Sequence, residues 1–471
     1  MIYNSFNFIV LFPFLFLLYY LIPSQKGKVR NIYLLAVSYS LYIQWSPVYA
    51  LILLGVTVVT YVSALFLGRV FYGKTVMIVG VVLALLPLLF FKYFDFINES
   101  IWIILSCVGL HYKLVGLNWA IPIGISFFTF QAIGYLWDVY DKRINAESDF
   151  LMYALFISFF PCIVSGPINK ASLILPQLKN IRPYFDYSKA AEGGRMLLWG
   201  MFLKVVVADR VALYVDMVLP NYMNYTGMTC FLASIFYTIQ IYADFAGYSL
   251  MAIGTGKLLG LELTENFRRP YFAYSITDFW RRWHISLSTW LKDYIYIPLG
   301  GSRCSKVRNY WNIFVTFLVS GIWHGANWTF IIWGCMHGLS LIVEKMLGQQ
   351  KCDYRPFGKF VKIGITFLLV NFAWIFFRMP TLGEAIGVID HIFDFSQPMI
   401  IEIKSMHVFA FIVMGTSMLL IKDILDEFAP SRFQLLNSRH IIVRWVSYIA
   451  LAVLLVLTGV FDAGQFIYAV F

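Results

Sequence analysis

Two histidines stand where an ionisable side chain is expensive. His284 lies in the polar stretch TDFWRRWHISLSTWLKDYIYIPLGGSRCSKVR, residues 277–308, and His324 lies in GIWHGANWTFIIWG, residues 321–334. Apolar runs of membrane length surround both, so each is a functional candidate by default. A neutral imidazole within reach of a hydroxyl is a general base. His324 sits between Trp323 and Gly325, where a helix would break or enter, with Asn327 and Trp328 near enough to orient its ring or line a passage. His284 stands beside Arg281 and Trp283 and within one turn of Ser288, and it reads equally well as a hydrogen-bonding core residue. His337 follows His324 by 337 − 324 = 13 residues, a spacing that suits no pair of metal ligands on one helix, and it reads as packing.

The elements that must position these groups follow from composition. Of 471 residues, 60% are hydrophobic and 13% charged, with 44 Phe, 30 Tyr and 14 Trp, too few polar groups to cover a soluble surface. The apolar runs are continuous over about 17–24 residues and do not alternate with period two, which predicts an all-α polytopic membrane protein and disfavours a strand barrel. The formal charge of +11 gathers in short loops, marking the cytoplasmic side and giving no sign of a nucleic-acid partner; the lipid bilayer is the first partner. Lys26, Lys28 and Arg30 place one loop there, and Arg69 to Lys74 a second. Residues 6–23 lack a small-residue cleavage site and read as a retained first helix. Further runs predict roughly ten to twelve crossings plus re-entrant or interfacial helices, in a single membrane domain over 1–471. The six cysteines form no CxxC pair, so neither a zinc site nor a disulfide framework is expected.

Charges inside the runs come next. Asp138, Lys204 and Asp244 should each face the protein interior or water and find a partner. Gln240, Asp244 and Tyr248 share one helix face, either a polar seam between helices or part of a site. Gly247, Gly254, Gly256 and Gly260 point to close helix packing, since no strand precedes them as a nucleotide fingerprint requires. In the 277–308 stretch, Thr277 is the expected N-cap of one amphipathic helix with Trp280, Trp283, Leu287, Trp290, Leu291 and Tyr294 along one side. Such a helix suits a membrane surface, aromatic face inward, and Pro298, Gly300 and Gly301 end it. Arg303, Lys306 and Arg308 then serve either as an orientation signal or as phosphate ligands for an anionic donor or lipid.

FWRRWHISLSTWLKDYIYIPLGGSR followed by WHGANWTFIIWGCMHG closely resembles the membrane-bound O-acyltransferase superfamily, in its bacterial branch typified by the alginate O-acetyltransferase membrane subunit. QIYADFAGYSLMAIGTGKLLG, NFRRPY at 266–271 and FFPCIVSGPINK at 159–170 support it, so the motif-bearing core spans about 120–340. The resemblance implies a helical fold with a tunnel through the membrane, a catalytic histidine carried over to His324, and a second motif histidine carried over to His284. It implies transfer of an acyl group, acetyl in this branch, from a cytoplasmic thioester such as acetyl-CoA to an extracytoplasmic hydroxyl, with no bound cofactor or metal. The location it implies is the cell (inner) membrane, and the partners are an SGNH-type serine acetyltransferase and a polysaccharide acceptor. Asp244, Asn327, Trp328, Trp283, Ser288 and Arg281 are the candidates for lining the tunnel or binding substrate. Asn327 replaces a glycine frequent in the branch, and it or the Gly325 N–H is a candidate oxyanion donor. D-alanyl or long-chain lipid acyl transfer, a polysaccharide or lipid-linked sugar transporter, and a non-catalytic scaffold are the alternatives; no inverted repeat supports the transporter.

Overall fold

Long apolar runs without period-two alternation satisfy their backbone groups internally only as helices, and no strand occurs among the described residues. The computed structural model describes residues 6–67, 72–110, 116, 119–164, 166–180, 185–348, 356–429 and 436–461. Six helices there are long and apolar enough to cross a membrane: Pro47–Leu67, Gly73–Cys107, Gly227–Leu258, Phe357–Arg378, Met406–Phe428 and Ile441–Thr458. Two shorter apolar helices, Phe8–Leu21 and Phe150–Ile163, accompany them. Arg69 and Cys352 lie outside the described residues.

Gly227–Leu258 is the central helix. Its apolar window is 83% buried, against 17–39% for the other five, so the rest of the protein is built around it. The expected glycine packing is present at Gly247 and Gly254, where a Cβ would lie 2.8 Å from the Gly200 carbonyl and 2.6 Å from that of Gly193, both on the neighbouring helix Tyr187–Met201; Gly256 instead meets Leu263 of the following segment, and Gly260 makes a left-handed turn with φ 78°. That helix runs into a π-helical turn, Phe202–Ala208, which carries Lys204 inward. Lys204 pairs with Asp209 at 2.7 Å and with Asp244 at 2.8 Å, all three buried. Asp138 pairs with Arg143 at 3.2 Å and accepts a hydrogen bond from Tyr294 at 2.9 Å. Asp138, Lys204 and Asp244 therefore each have the partner that their desolvation cost demands.

The region around His284 differs from its sequence reading. In place of one amphipathic helix there are two short ones, Ile276–Arg282 and Ile285–Leu291, the second continued by a π-helical turn, Lys292–Tyr296. The N-cap is Ser275, whose hydroxyl accepts from the Asp278 N–H at 3.0 Å; Thr277 lies inside the helix. Trp280, Trp283 and Trp290 are all buried within the protein, so this is no surface-lying helix with its aromatic face in lipid. The cysteines in the described residues are all free thiols.

Candidate functional site at two buried histidines

His284 sits at the break between the two short helices with φ 43° and ψ 54°. This left-handed conformation costs a residue with a Cβ roughly 1–2 kcal/mol, so the turn needs external support. The NFRRPY segment supplies it. Arg268 N–H donates to the Arg282 carbonyl at 2.9 Å and Ile285 N–H to the Asn266 carbonyl at 3.0 Å, while the Asn266 side chain accepts from Ser286 N–H and donates to Ser249 of the central helix. From the 159–170 motif, Ile168 N–H donates to the Ser286 hydroxyl at 3.0 Å, and Lys170 pairs with Asp293. Two distant carboxylates complete the clamp. Glu427 accepts from Arg269 at 2.8 Å and from Arg282 at 3.0 Å, and Glu344 accepts from the N–H groups of Ile276 and Thr277, both at 2.9 Å. Four sequence motifs thus converge on one strained turn.

The His284 ring is fully enclosed by aromatic neighbours, with centroids 4.6 Å from Phe245, 5.9 Å from Trp323 and 6.4 Å from Phe127. Neither ring nitrogen has a hydrogen-bond partner among the described residues. A buried polar group left so is rare and asks for an unplaced ligand or water. A crevice of about 10 Å³, room for no more than about one water, borders this turn through Ser286 and Trp290, with Gln131, Asn169, Lys170 and Tyr294 around it.

His324 is the last residue of the helix Lys306–His324. Its Nδ1 lies 2.6 Å from the Ser320 carbonyl one turn back. A carbonyl only accepts, so Nδ1 carries the proton and the lone pair of the neutral ring is on Nε2. The ring packs edge-on against Trp323 at 4.9 Å, Trp333 at 4.7 Å and Phe377 at 5.5 Å. The next helix, Trp328–Met346, approaches closely enough that a Cβ on Gly321 would fall 2.5 Å from the Phe330 carbonyl, and one on Gly334 would strike that of Phe317.

Trp323 touches both histidines, its ring centroid 5.9 Å from that of His284 and 4.9 Å from that of His324. Trp283 joins the same aromatic cluster, 5.0 Å from Trp374. The other expected residues stand apart. Asp244 is committed to Lys204, although its neighbour Phe245 touches His284. Ser288 donates to the Trp283 carbonyl at 3.2 Å, and Arg281 is exposed. Trp328 is half exposed, edge-on to Phe96, and does not meet His324. Asn327 caps its helix, accepting from Thr329 N–H at 3.1 Å and donating one of its two amide hydrogens to the Pro380 carbonyl at 2.7 Å. His337 is more than the packing residue its spacing suggested. It is buried beside Trp333 at 4.9 Å, and its Nδ1 accepts from the Trp280 indole N–H at 3.3 Å.

A chain whose motifs converge on two enclosed histidines invites comparison with known proteins. It is 39% identical to the probable alginate O-acetylase AlgI of Pseudomonas aeruginosa over 86% of this chain and 77% of that protein, and the model of the MBOAT, membrane-bound O-acyltransferase family matches residues 142–381. This chain belongs to the membrane-bound O-acyltransferase family. It is accordingly an O-acyltransferase and a multi-pass membrane protein. Other members are similar as well. The peptidoglycan O-acetyltransferase of Helicobacter pylori is 35% identical over 83% of this chain and 79% of its own length. The teichoic acid D-alanyltransferase of Bacillus subtilis is 27% identical over 54% of this chain and 68% of its own.

Proposed function

We propose that this membrane-bound O-acyltransferase moves an acetyl group from a cytoplasmic thioester, acetyl-CoA, to a hydroxyl presented outside the cytoplasm, with His324 as general base. The observation that carries this reading is the Nδ1 hydrogen bond to Ser320, which fixes the ring so that Nε2 is the basic nitrogen. The acceptor O–H gives its proton to Nε2 as its oxygen adds to the thioester carbonyl carbon. The tetrahedral intermediate collapses with cleavage of the C–S bond, and the thiolate takes the proton back from the imidazolium, leaving an ester, a thiol and a neutral histidine. A positioned base of this kind contributes about 10²–10⁴-fold.

His284 serves the donor side in this reading, since both of its buried ring nitrogens lack a hydrogen-bond partner among the described residues and could bind one supplied by substrate. A tunnel through the membrane joins the two histidines past Trp323, formed in part by less apolar helices such as Lys306–His324 that bring the crossings to ten or twelve. The acceptor is a polysaccharide hydroxyl or the serine of an SGNH-type partner, and the enzyme resides in the inner membrane. The names of the alginate and peptidoglycan relatives support acetyl over D-alanyl transfer, because their similarity extends over more of this chain.

The test is transfer from labelled acetyl-CoA in membrane vesicles at matched expression. Label should appear with the wild type, vanish with His324→Ala, and with His284→Ala show a raised donor KM. Equal labelling in wild type and His324→Ala would sink the base assignment. His284→Ala with wild-type rate and donor binding would remove His284 from the donor side.

A further inference from the structure

Lys92 lies in the apolar run LLPLLFFKYF, at a π-helical turn, Leu89–Tyr93, inside the long helix Gly73–Cys107. The wider turn moves one residue out of helical register, and here it carries Lys92 and Tyr93 inward. The Lys92 ammonium donates to the carbonyls of Trp323 at 2.8 Å and His324 at 2.9 Å, and the Tyr93 hydroxyl donates to the Ile322 carbonyl at 2.6 Å. Three consecutive orphan carbonyls at the end of the His324 helix are thus satisfied from one turn of another helix.

Capping alone does not account for a lysine. A neutral donor would satisfy the same carbonyls without burying a charge, and an unpaired buried ammonium costs several kcal/mol. Lys92 is only 7% exposed and pairs with no carboxylate among the described residues, unlike the buried Lys204 with its two. Its compensation is the negative end of a helix dipole and the face of Trp323, 5.9 Å away. A lysine placed at such cost against the backbone of His324, where a neutral donor would serve as a cap, fits a step in which negative charge develops nearby.

We propose that Lys92 is a positioning residue of the acyl-transfer site, which fixes the helix end at His324 and supplies positive charge beside the oxyanion formed when the acceptor oxygen adds to the thioester. The proposal rests on the acyl-transfer reading above. Three variants separate its parts in the labelled acetyl-CoA assay: Lys92→Gln keeps a neutral donor, Lys92→Arg keeps the charge, and Lys92→Met keeps neither. Lys92→Gln and Lys92→Met should lower the maximal rate about 10- to 100-fold with the donor KM unchanged, and Lys92→Arg should restore most of it. A Lys92→Gln enzyme turning over at the wild-type rate would reduce Lys92 to a cap. Lys92→Arg as slow as Lys92→Gln, with both melting like wild type, would equally overturn the proposal. If Lys92→Met fails to fold, the Gln and Arg pair still decides. Loss of the acyl-transfer reading itself would look different, with no His324-dependent labelling in the wild type.

Discussion

The two histidines reach the same aromatic cluster by opposite constructions. His284 occupies a strained turn between helices of seven residues each, which hold their shape through hydrogen bonds from three other segments and ion pairs to Glu427. His324 ends a regular helix of 19 residues, its ring fixed by its own preceding turn and its backbone capped by Lys92 and Tyr93. At His284 the tertiary structure determines the position, and the ring nitrogens have no hydrogen-bond partner among the described residues. At His324 local structure determines the protonation pattern of the ring. One arrangement suits recognition of a substrate and the other suits moving a proton.

Three substitutions test that contrast. The largest effect belongs to His324→Gln, whose amide can keep the bond to the Ser320 carbonyl but has no basic nitrogen. Acetyl transfer should fall about 10²–10⁴-fold while the melting temperature stays near wild type; a variant that keeps its rate would show that the ring is only a hydrogen-bonding element. Glu427→Gln comes next. It weakens the bonds to both Arg269 and Arg282, and a loss of about 1.5–3 kcal/mol of stability in detergent is expected, with a raised donor KM. An unchanged KM would mean that the His284 turn holds itself. The smallest effect on turnover is expected for Gly321→Ala. Its methyl group meets the Phe330 carbonyl at 2.5 Å and should cost about 1–3 kcal/mol in thermal unfolding, visible with acetyl transfer only modestly reduced. A melting curve like that of wild type would show that the helix pair has room to separate.

Much of this was legible from residue types. The apolar runs gave the helical membrane class, and the intramembrane charges Asp138, Lys204 and Asp244 each found a partner, as the cost of burying charge requires. That Lys204 and Asp244 would find each other was not legible, because 40 residues and two helices separate them. The break at His284 was hidden by periodicity: Trp280, Trp283, Leu287, Trp290 and Leu291 keep helical spacing straight across it, and only the fold reveals the left-handed residue between. Asn327 before the apolar helix Trp328–Met346 carried a legible N-cap signal, but its bond to Pro380 depends on a segment 53 residues away. Lys92 is the residue that sequence reasoning missed although its signal was present, a lone cation in an apolar run of the same kind as Lys204.

The close approach at Gly321 and Gly334 has a mechanical consequence. With backbone against backbone, the helices Lys306–His324 and Trp328–Met346 form a stiff hairpin that carries His324, Trp333 and His337 as one body. Interfaces packed this tightly have no soft coordinate along which one histidine can shift without the others. In the acyl-transfer reading proposed above, a motion that admits substrate between the two histidines falls to the opposite wall, where the short helices around His284 are joined to the rest by hydrogen bonds and ion pairs that can exchange partners. The hairpin is the anvil, and the clamped turn is the part that gives.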